Sequence, residues 1–562
     1  MNKYVNTIVG LLCGGMLLVS CDSKLDVTNP NKITDDQVAD LLLNGTDEER
    51  EIIIGAMVAD IQDNLCLRSS VMSGGFTNIT MDNEWIFAKW RDLQCGDIVY
   101  ASSNYSTLRG TSWGASYYKN DPTNQYWAAE ETETCFGYWY GPCMCVANAN
   151  EVLQYLDDDD AIEASDLLKE YKAQCLTIRA FGYMELMERF TEAYLHGGQD
   201  GTGMPIYTTY GYNDPVAPSS ATETWDFIIS DLEEAVDLFH NSTLGTNGYT
   251  ISTSIDDDNF YDVDCSIAQY MLARATLQTG DYSTCIAACE EVLDAYNWSF
   301  IAEENYGVNT DLMQALCDRT DEAYADDNAF LSIAVNPECM FGWDTDENVY
   351  PWFFLNTLGL SYAGYGEIFI QMDNALYDKI ADDDFCKVCF TDKEYTFPYF
   401  EIQSSDTVWY NTIVPAWTNL KWGATAASGE TTRRDDRENC DVVLYRTSEV
   451  LLMMAEAQAS NGDESGAKST LNELLAARTK AGATTLTCDN YPSMQGMTAM
   501  EMVKLQWRIE MWAENGCNFF NHKRWNEEPT YDGSNHWSTT SVTIEHMTWE
   551  IPDDETSTNP YW

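Results

Sequence analysis

The chain is poor in positive charge. Its 562 residues include 30 Lys and Arg against 91 Asp and Glu, a formal net charge of −61. Such a surface repels phosphate backbones and argues against a nucleic-acid ligand. Histidine is scarce too, at five residues, and none stands in an HExxH motif, so metalloprotease chemistry has no support. No pair of CxxC units has zinc spacing, since Cys386-Lys-Val-Cys389 stands alone. Beyond the N-terminus no apolar run is long enough to cross a bilayer as a helix.

The apolar run itself is short. Lys3 precedes Ile8 to Val19, and Leu18-Val19-Ser20-Cys21 reads as a lipobox, the cut site before an acylated cysteine. Residues 1–20 are therefore expected to be a lipoprotein signal peptide, with Cys21 carrying the lipid and residues 21–44 forming a polar tether. Cysteine is abundant at 18 residues. Cys285 and Cys289 lie one helical turn apart on an apolar face, which favours small buried side chains over disulfides.

Two stretches share one plan. Thr447 to Ser460 places Val450, Leu451, Met454 and Ala457 at helical spacing, with Ala455, Ala457 and Ala459 small enough for a close helix crossing. Asn461-Gly462-Asp463 stops the helix, and a second carries Ala467, Leu471, Leu474 and Leu475. Setting Gly280 on Gly462 aligns Ala273 with Ala455, Ala275 with Ala457 and Asp281 with Asp463. Helix pairs of about 34 residues with small residues at the crossing are the tetratricopeptide pattern. One pair cannot bury its own apolar face, so others must stack on it. Ser220-Ala-Thr-Glu223 and Thr498-Ala-Met-Glu501 are capping boxes that start two more helices. Residues 169–194 predict a long helix, and residues from His522 onward predict a loop.

Two regions break the period: residues 96–127, and residues 300–440. Both are rich in Trp and Tyr. Long irregular stretches inside a compact protein are commonly functional. The predicted fold is mainly α, with tetratricopeptide-like hairpins within residues 140–300 and 441–515 stacked as a scaffold. Residues 45–562 are expected to form one domain, with loop-rich inserts at 96–127 and 300–440.

Several segments then resemble one family together, the SusD/RagB surface lipoproteins of Bacteroidota. These are Ile178 to Tyr183 (IRAFGY), Thr222 to Ala235 (TETWDFIISDLEEA), Tyr445 to Ala457 (YRTSEVLLMMAEA), Arg508-Ile-Glu510 with Asn521 to Trp525 (NHKRW), and Ile551-Pro552 with Asn559-Pro560. The chain departs from the family at Trp507-Arg508, where the family has Glu-Arg, and at Glu514 to Asn518. The resemblance implies a nutrient-binding outer-membrane protein without catalysis or cofactor, facing the cell exterior, beside a SusC-like TonB-dependent transporter. The acidic start Cys21-Asp-Ser-Lys-Leu-Asp26 resembles the surface-export signal of such lipoproteins.

In that family the ligand surface is built from loops. Sugar rings offer apolar C–H faces to aromatic rings and hydroxyl edges to Asn and Arg. The expected glycan contacts are Asn104, Arg109, Trp113, Tyr117, Tyr118, Trp343, Trp352 and Trp417, with Trp113, Tyr118 and Trp343 foremost. The competing role for each ring is plain packing. Trp422 belongs to the same insert. Peptide capture by the same mechanism is the alternative ligand class. Gly359-Leu-Ser361-Tyr-Ala363 only half matches a nucleophile elbow. Asp344-Thr-Asp346-Glu-Asn348 starts like a calcium loop but has Val349 and Leu355 at the sixth and twelfth places, so no metal site is predicted.

Overall fold

The structure, a computed structural model, describes residues 35–62, 95–100, 133–211, 214–244, 262–295, 297–308, 310, 313–318, 327–343, 370–403, 406–423, 441–515, 517–536 and 542–562. The expected signal peptide and Cys21 lie outside them. The segment expected to be tether turns helical at its end, in α1 (Asp35–Asn44). The next helix starts from a Thr46 capping box as α2 (Asp47–Arg50), passes through a π-turn at Glu51–Gly55 and ends as α3 (Ala56–Gln62).

The scaffold is an ordered stack. Its members are α4 (Glu133–Leu153), α5 (Asp159–Ala164), α6 (Asp166–Phe190), α7 (Ala221–His240), α8 (Cys265–Thr279), α9 (Tyr282–Ala295), α10 (Thr447–Ser460), α11 (Glu464–Ala477) and α12 (Ala499–Glu510). Helix α6 packs on α4 and α7, α7 on α8, α8 on α9, α9 on α10, and α10 on α11 and α12. The α9–α10 contact closes across the whole 300–440 insert. Each member buries its face against the next, as solenoid repeats require.

The two aligned hairpins share their turn geometry. Gly280 ends α8 at φ 85° and Gly462 follows α10 at φ 86°, both left-handed. Asp281 accepts the Thr284 N–H at 3.2 Å, and Asp463 accepts the Gly466 N–H at 2.8 Å. Ala273, Ala275, Ala455 and Ala457 have no exposed surface. Ala459 is only half-buried and takes less part in the crossing than expected. Nothing lies within 4 Å of a Cβ added at Gly462. Gly462→Ala should therefore cost only the left-handed strain, about 1–2 kcal/mol, read as a shift in urea midpoint with an unchanged slope. No change in midpoint would show that the turn relaxes.

Two expectations are corrected. Residues from Cys517 to Trp525 form a helix, α13, rather than a loop. Its polar residues hid the period, because they are buried and paired. Arg524 makes a two-point contact with Glu456 at 2.8 and 2.9 Å, and Lys523 donates to the Glu188 carbonyl at 2.7 Å. Burial pushes the Lys523 amine down to about 7. Likewise α6 begins at Asp166 and ends at Phe190, earlier than expected at both ends, with Ser165 as its N-cap. The expected capping boxes at Ser220 and Thr498 are formed.

The 300–440 insert is not merely loop. Its described parts add a long hairpin, strands Tyr395–Gln403 and Asp406–Val414, and much buried surface. Phe330, Phe385 and Phe390 join the main core. Trp422 is core as well, 5.4 Å from the Phe330 ring, rather than part of a ligand surface. None of the thirteen cysteines whose side chains are described forms a disulfide. Burial pushes the Cys143 thiol up to about 12, the behaviour of a packed, protonated side chain.

Candidate functional site

Four short strands set the roots of the aromatic segments. Strand β1 (Ile98–Tyr100) pairs antiparallel with β3 (Ile370–Met372), Tyr100 opposite Ile370. Strand β2 (Cys339–Trp343) pairs antiparallel with β4 (Val442–Arg446), Trp343 opposite Val442. Chain direction then fixes where the intervening segments go. Residues 101–132 leave β1 at the end where 344–369 enter β3. Residues 344–369 leave β2 at the end where 424–440 enter β4. The segment 344–369 thus links the two roots, and the segments holding most of the predicted ring contacts start from shared edges.

Asn104, Arg109, Trp113, Tyr117, Tyr118 and Trp352 lie outside the described residues. Trp343 is the last residue of β2, and its side chain lies outside them too. Trp417 is placed, half-buried, at the first root. Its carbonyl accepts the Met372 N–H at 2.9 Å, and its own N–H donates to the Thr391 carbonyl at 2.6 Å. The next residues continue the contact: Thr418 bridges Gln371, and Asn419 N–H donates to the Ile370 carbonyl at 2.8 Å. Trp417 has φ 63°, a left-handed conformation that a bulky residue rarely adopts. The surrounding hydrogen bonds hold it there. This is where the structure brings a predicted contact residue beside the edge from which residues 101–132 depart.

The first root is locked to the scaffold by Asp97, which has no exposed surface. Arg508 of α12 grips its carboxylate, Nε at 3.0 Å and Nη2 at 2.5 Å. The Asp97 carbonyl accepts the Trp512 indole N–H at 2.8 Å and the Asp373 N–H at 3.0 Å. Burial alone would lower the Arg508 pKa, yet Asp97 outweighs it and raises the guanidinium further. Sequence reading noticed Arg508 but not its partner. The two are 411 positions apart, and neither has a local signature that names the other.

The second root is locked by a buried ion cluster. Arg446, the last residue of β4, meets Glu338 at 2.7 Å, Glu510 at 2.8 Å and Glu514 at 2.7 Å. Arg478 meets Glu338 at 2.7 Å and Glu510 at 2.8 Å. Lys421 pairs with Glu514 and donates to the Glu510 carbonyl at 2.8 Å. Three cations face three carboxylates, so the buried charge closes to zero. Lys421 also ends the ribbon that begins at Trp417, which ties both roots to one cluster.

These roots can position aromatic and polar side chains on a rigid base. They are buried, tied by many internal hydrogen bonds and charge-balanced, which suits a platform for loops.

Comparison with known proteins fits this geometry. Residues 361–561 match the SusD family, and residues 92–249 match a family described as starch-binding associating with outer membrane. No curated protein matches the sequence. Among solved structures, a SusD-like carbohydrate binding protein from Bacteroides vulgatus is 18% identical at a TM-score of 0.58, covering 90% of this chain and 97% of that one. A SusD superfamily protein from Parabacteroides distasonis is 16% identical at a TM-score of 0.61, covering 94% and 98%. A putative sugar binding protein from Bacteroides vulgatus is 18% identical at 0.59, covering 90% and 96%. At such identities the likeness is one of fold. The two matched regions include Arg179 with Asp231, which pair at 2.7 Å, and Arg446 with Glu510. With its helical stack, matched hairpins and inserted strand roots, the chain belongs to the SusD/RagB family.

Proposed function

We propose that this protein captures oligosaccharide or polysaccharide at the cell surface and passes it to a SusC-like TonB-dependent transporter. It is a binding protein, held in the outer membrane by lipid on Cys21 and facing outward, and it performs no catalysis. The observation that carries this reading is the pairing of the strand ends to which the aromatic-rich segments attach, with Trp417 fixed beside one of them. Rigid rings at a shared base cover the apolar faces of sugars at low entropic cost. The description of the matched family, starch-binding and associated with the outer membrane, supports the same ligand class. In this arrangement the helical stack is the surface that docks the transporter.

The test is binding of residues 22–562 to a panel of polysaccharides and of peptides. Trp113→Ala, Trp343→Ala and Trp417→Ala follow, each checked for retained helical content. One glycan class should bind saturably. Loss of a central ring should cost about 2 kcal/mol, roughly 30-fold in affinity. Binding to peptides alone, unchanged in all three variants, would replace glycan capture with peptide capture and remove these rings from the site.

A further inference from the structure

Away from the strand roots, three scaffold helices bring three different donor atoms to one point. His240 is the last residue of α7, Cys265 the first of α8, and Glu291 lies in α9. The imidazole nitrogen, the thiol sulfur and a carboxylate oxygen all lie within 4.8 Å of one another. A tetrahedral zinc ion, with bonds of about 2.0–2.3 Å, holds its donors about 3.3–3.8 Å apart, so closure needs a shift of about 1 Å.

From this the geometry points to a divalent-cation site, suited to zinc, with three protein ligands and a fourth position for water. The donor set fits a borderline-soft cation, combining thiolate, imidazole and carboxylate. Exposure is graded across it: Cys265 is fully buried, Glu291 half-buried and His240 exposed. The ion therefore has a floor and one open side. Glu291 is already oriented. Gln269, one turn beyond Cys265, donates its amide to Oε2 at 2.6 Å, while Oε1 meets His240 Nε2. Such outer hydrogen bonds fix the first ligands. The negative end of the α7 dipole lies at His240, on the side of the cation.

On binding, the Cys265 thiol releases its proton to solvent. Thiolate and carboxylate then balance the two positive charges, and the imidazole binds neutral. The ion ties α7 to the α8–α9 hairpin, joining two neighbours of the stack. His240 and Glu291 already meet in a hydrogen bond. The Cys265 sulfur lies within 4.8 Å of both, which makes the three a metal-ligand set and not a pair.

Cobalt(II) titration of the purified metal-free chain tests this. A thiolate-to-cobalt charge-transfer band with tetrahedral ligand-field absorption should saturate at one ion per chain, and zinc should displace it. Cys265→Ser should abolish the band, while Cys317→Ser, at a half-exposed cysteine elsewhere, should keep it. Gln269→Ala should weaken binding about 10- to 100-fold, and His240→Ala or Glu291→Gln by more than that. Zinc should also raise the melting temperature of the native chain and not that of Cys265→Ser. A band that persists in Cys265→Ser, or no saturable band at all in the native chain, overturns the site. Neither result bears on glycan capture, which uses other residues.

Discussion

Replacing Glu510 with Ala should destabilise the protein by about 3–5 kcal/mol, the cost of leaving buried partners without their counter-charge. Glu510 sits at the end of α12 and is shared by Arg446 at 2.8 Å and by Arg478 at 2.8 and 3.1 Å. All three side chains have no exposed surface. Removing the carboxylate leaves three cations facing two acids in the core. The Arg478 guanidinium would retain Glu338 and the Tyr306 ring at 4.8 Å, too little to balance it. Urea unfolding at neutral pH should show the shift, and Glu510→Gln, which keeps the shape and loses the charge, should share most of it. A loss below about 1 kcal/mol in both variants would mean that water reaches the cluster.

The same cluster sets a pH dependence. Burial pushes the Glu510 and Glu338 pKa values up, but Arg478 and Arg446 outweigh it and hold both carboxyls below the usual range. A carboxyl depressed in the folded state contributes stability above its unfolded pKa, about 4.3. That contribution is lost as pH falls from there through the folded values. The native chain should lose stability steeply on acidification below about pH 4. Glu510→Ala should show a shallower slope over that window, since one of the two linked protons is gone.

Arg508→Ala is the second large effect, and it should reach both stability and binding. Its loss leaves Asp97 buried with no cation, at a cost of about 3–5 kcal/mol. It also frees β1, the root from which residues 101–132 depart. Ligand affinity should fall even at temperatures where the variant is fully folded. The double variant Asp97→Asn with Arg508→Ala should regain stability, because no charge remains unpaired, yet bind weakly, because the root is still loose. Native affinity in that double variant would separate the Asp97 anchor from the ligand site.

The segments that carry the family resemblance turn out to hold one another in the core. Arg179 in IRAFGY pairs with Asp231 in TETWDFIISDLEEA at 2.7 and 2.8 Å. Arg446 in YRTSEVLLMMAEA pairs with Glu510 of Arg508-Ile-Glu510. Glu456 in the same stretch pairs with Arg524 in NHKRW. This explains why charged residues stand inside otherwise apolar helices. It also explains a misreading. A helix whose charges are buried shows no amphipathic stripe, and α13 therefore read as loop. Helix α10 is the apolar counterpart, buried from Thr447 to Ala457 on every side, so its stripe understated its burial.

Local chemistry was enough for the helices, their caps and the two matched turns. A Ser or Thr three residues before Glu, or a Gly after an alanine-rich helix, acts within one or two turns, and Gly280 and Gly462 adopt the left-handed backbone that such a sequence requires. The aromatic segments were legible as composition, and the chemistry expected of them as resemblance. What only the tertiary structure decided is which distant groups meet. Asp97 and Arg508, Trp417 and Met372, and His240, Cys265 and Glu291 each come together across long stretches of chain. Such contacts depend on how helices stack and strands pair, and no periodicity records them. The same holds for Trp422, whose place in the core follows from the packing of the insert and not from its neighbours in sequence.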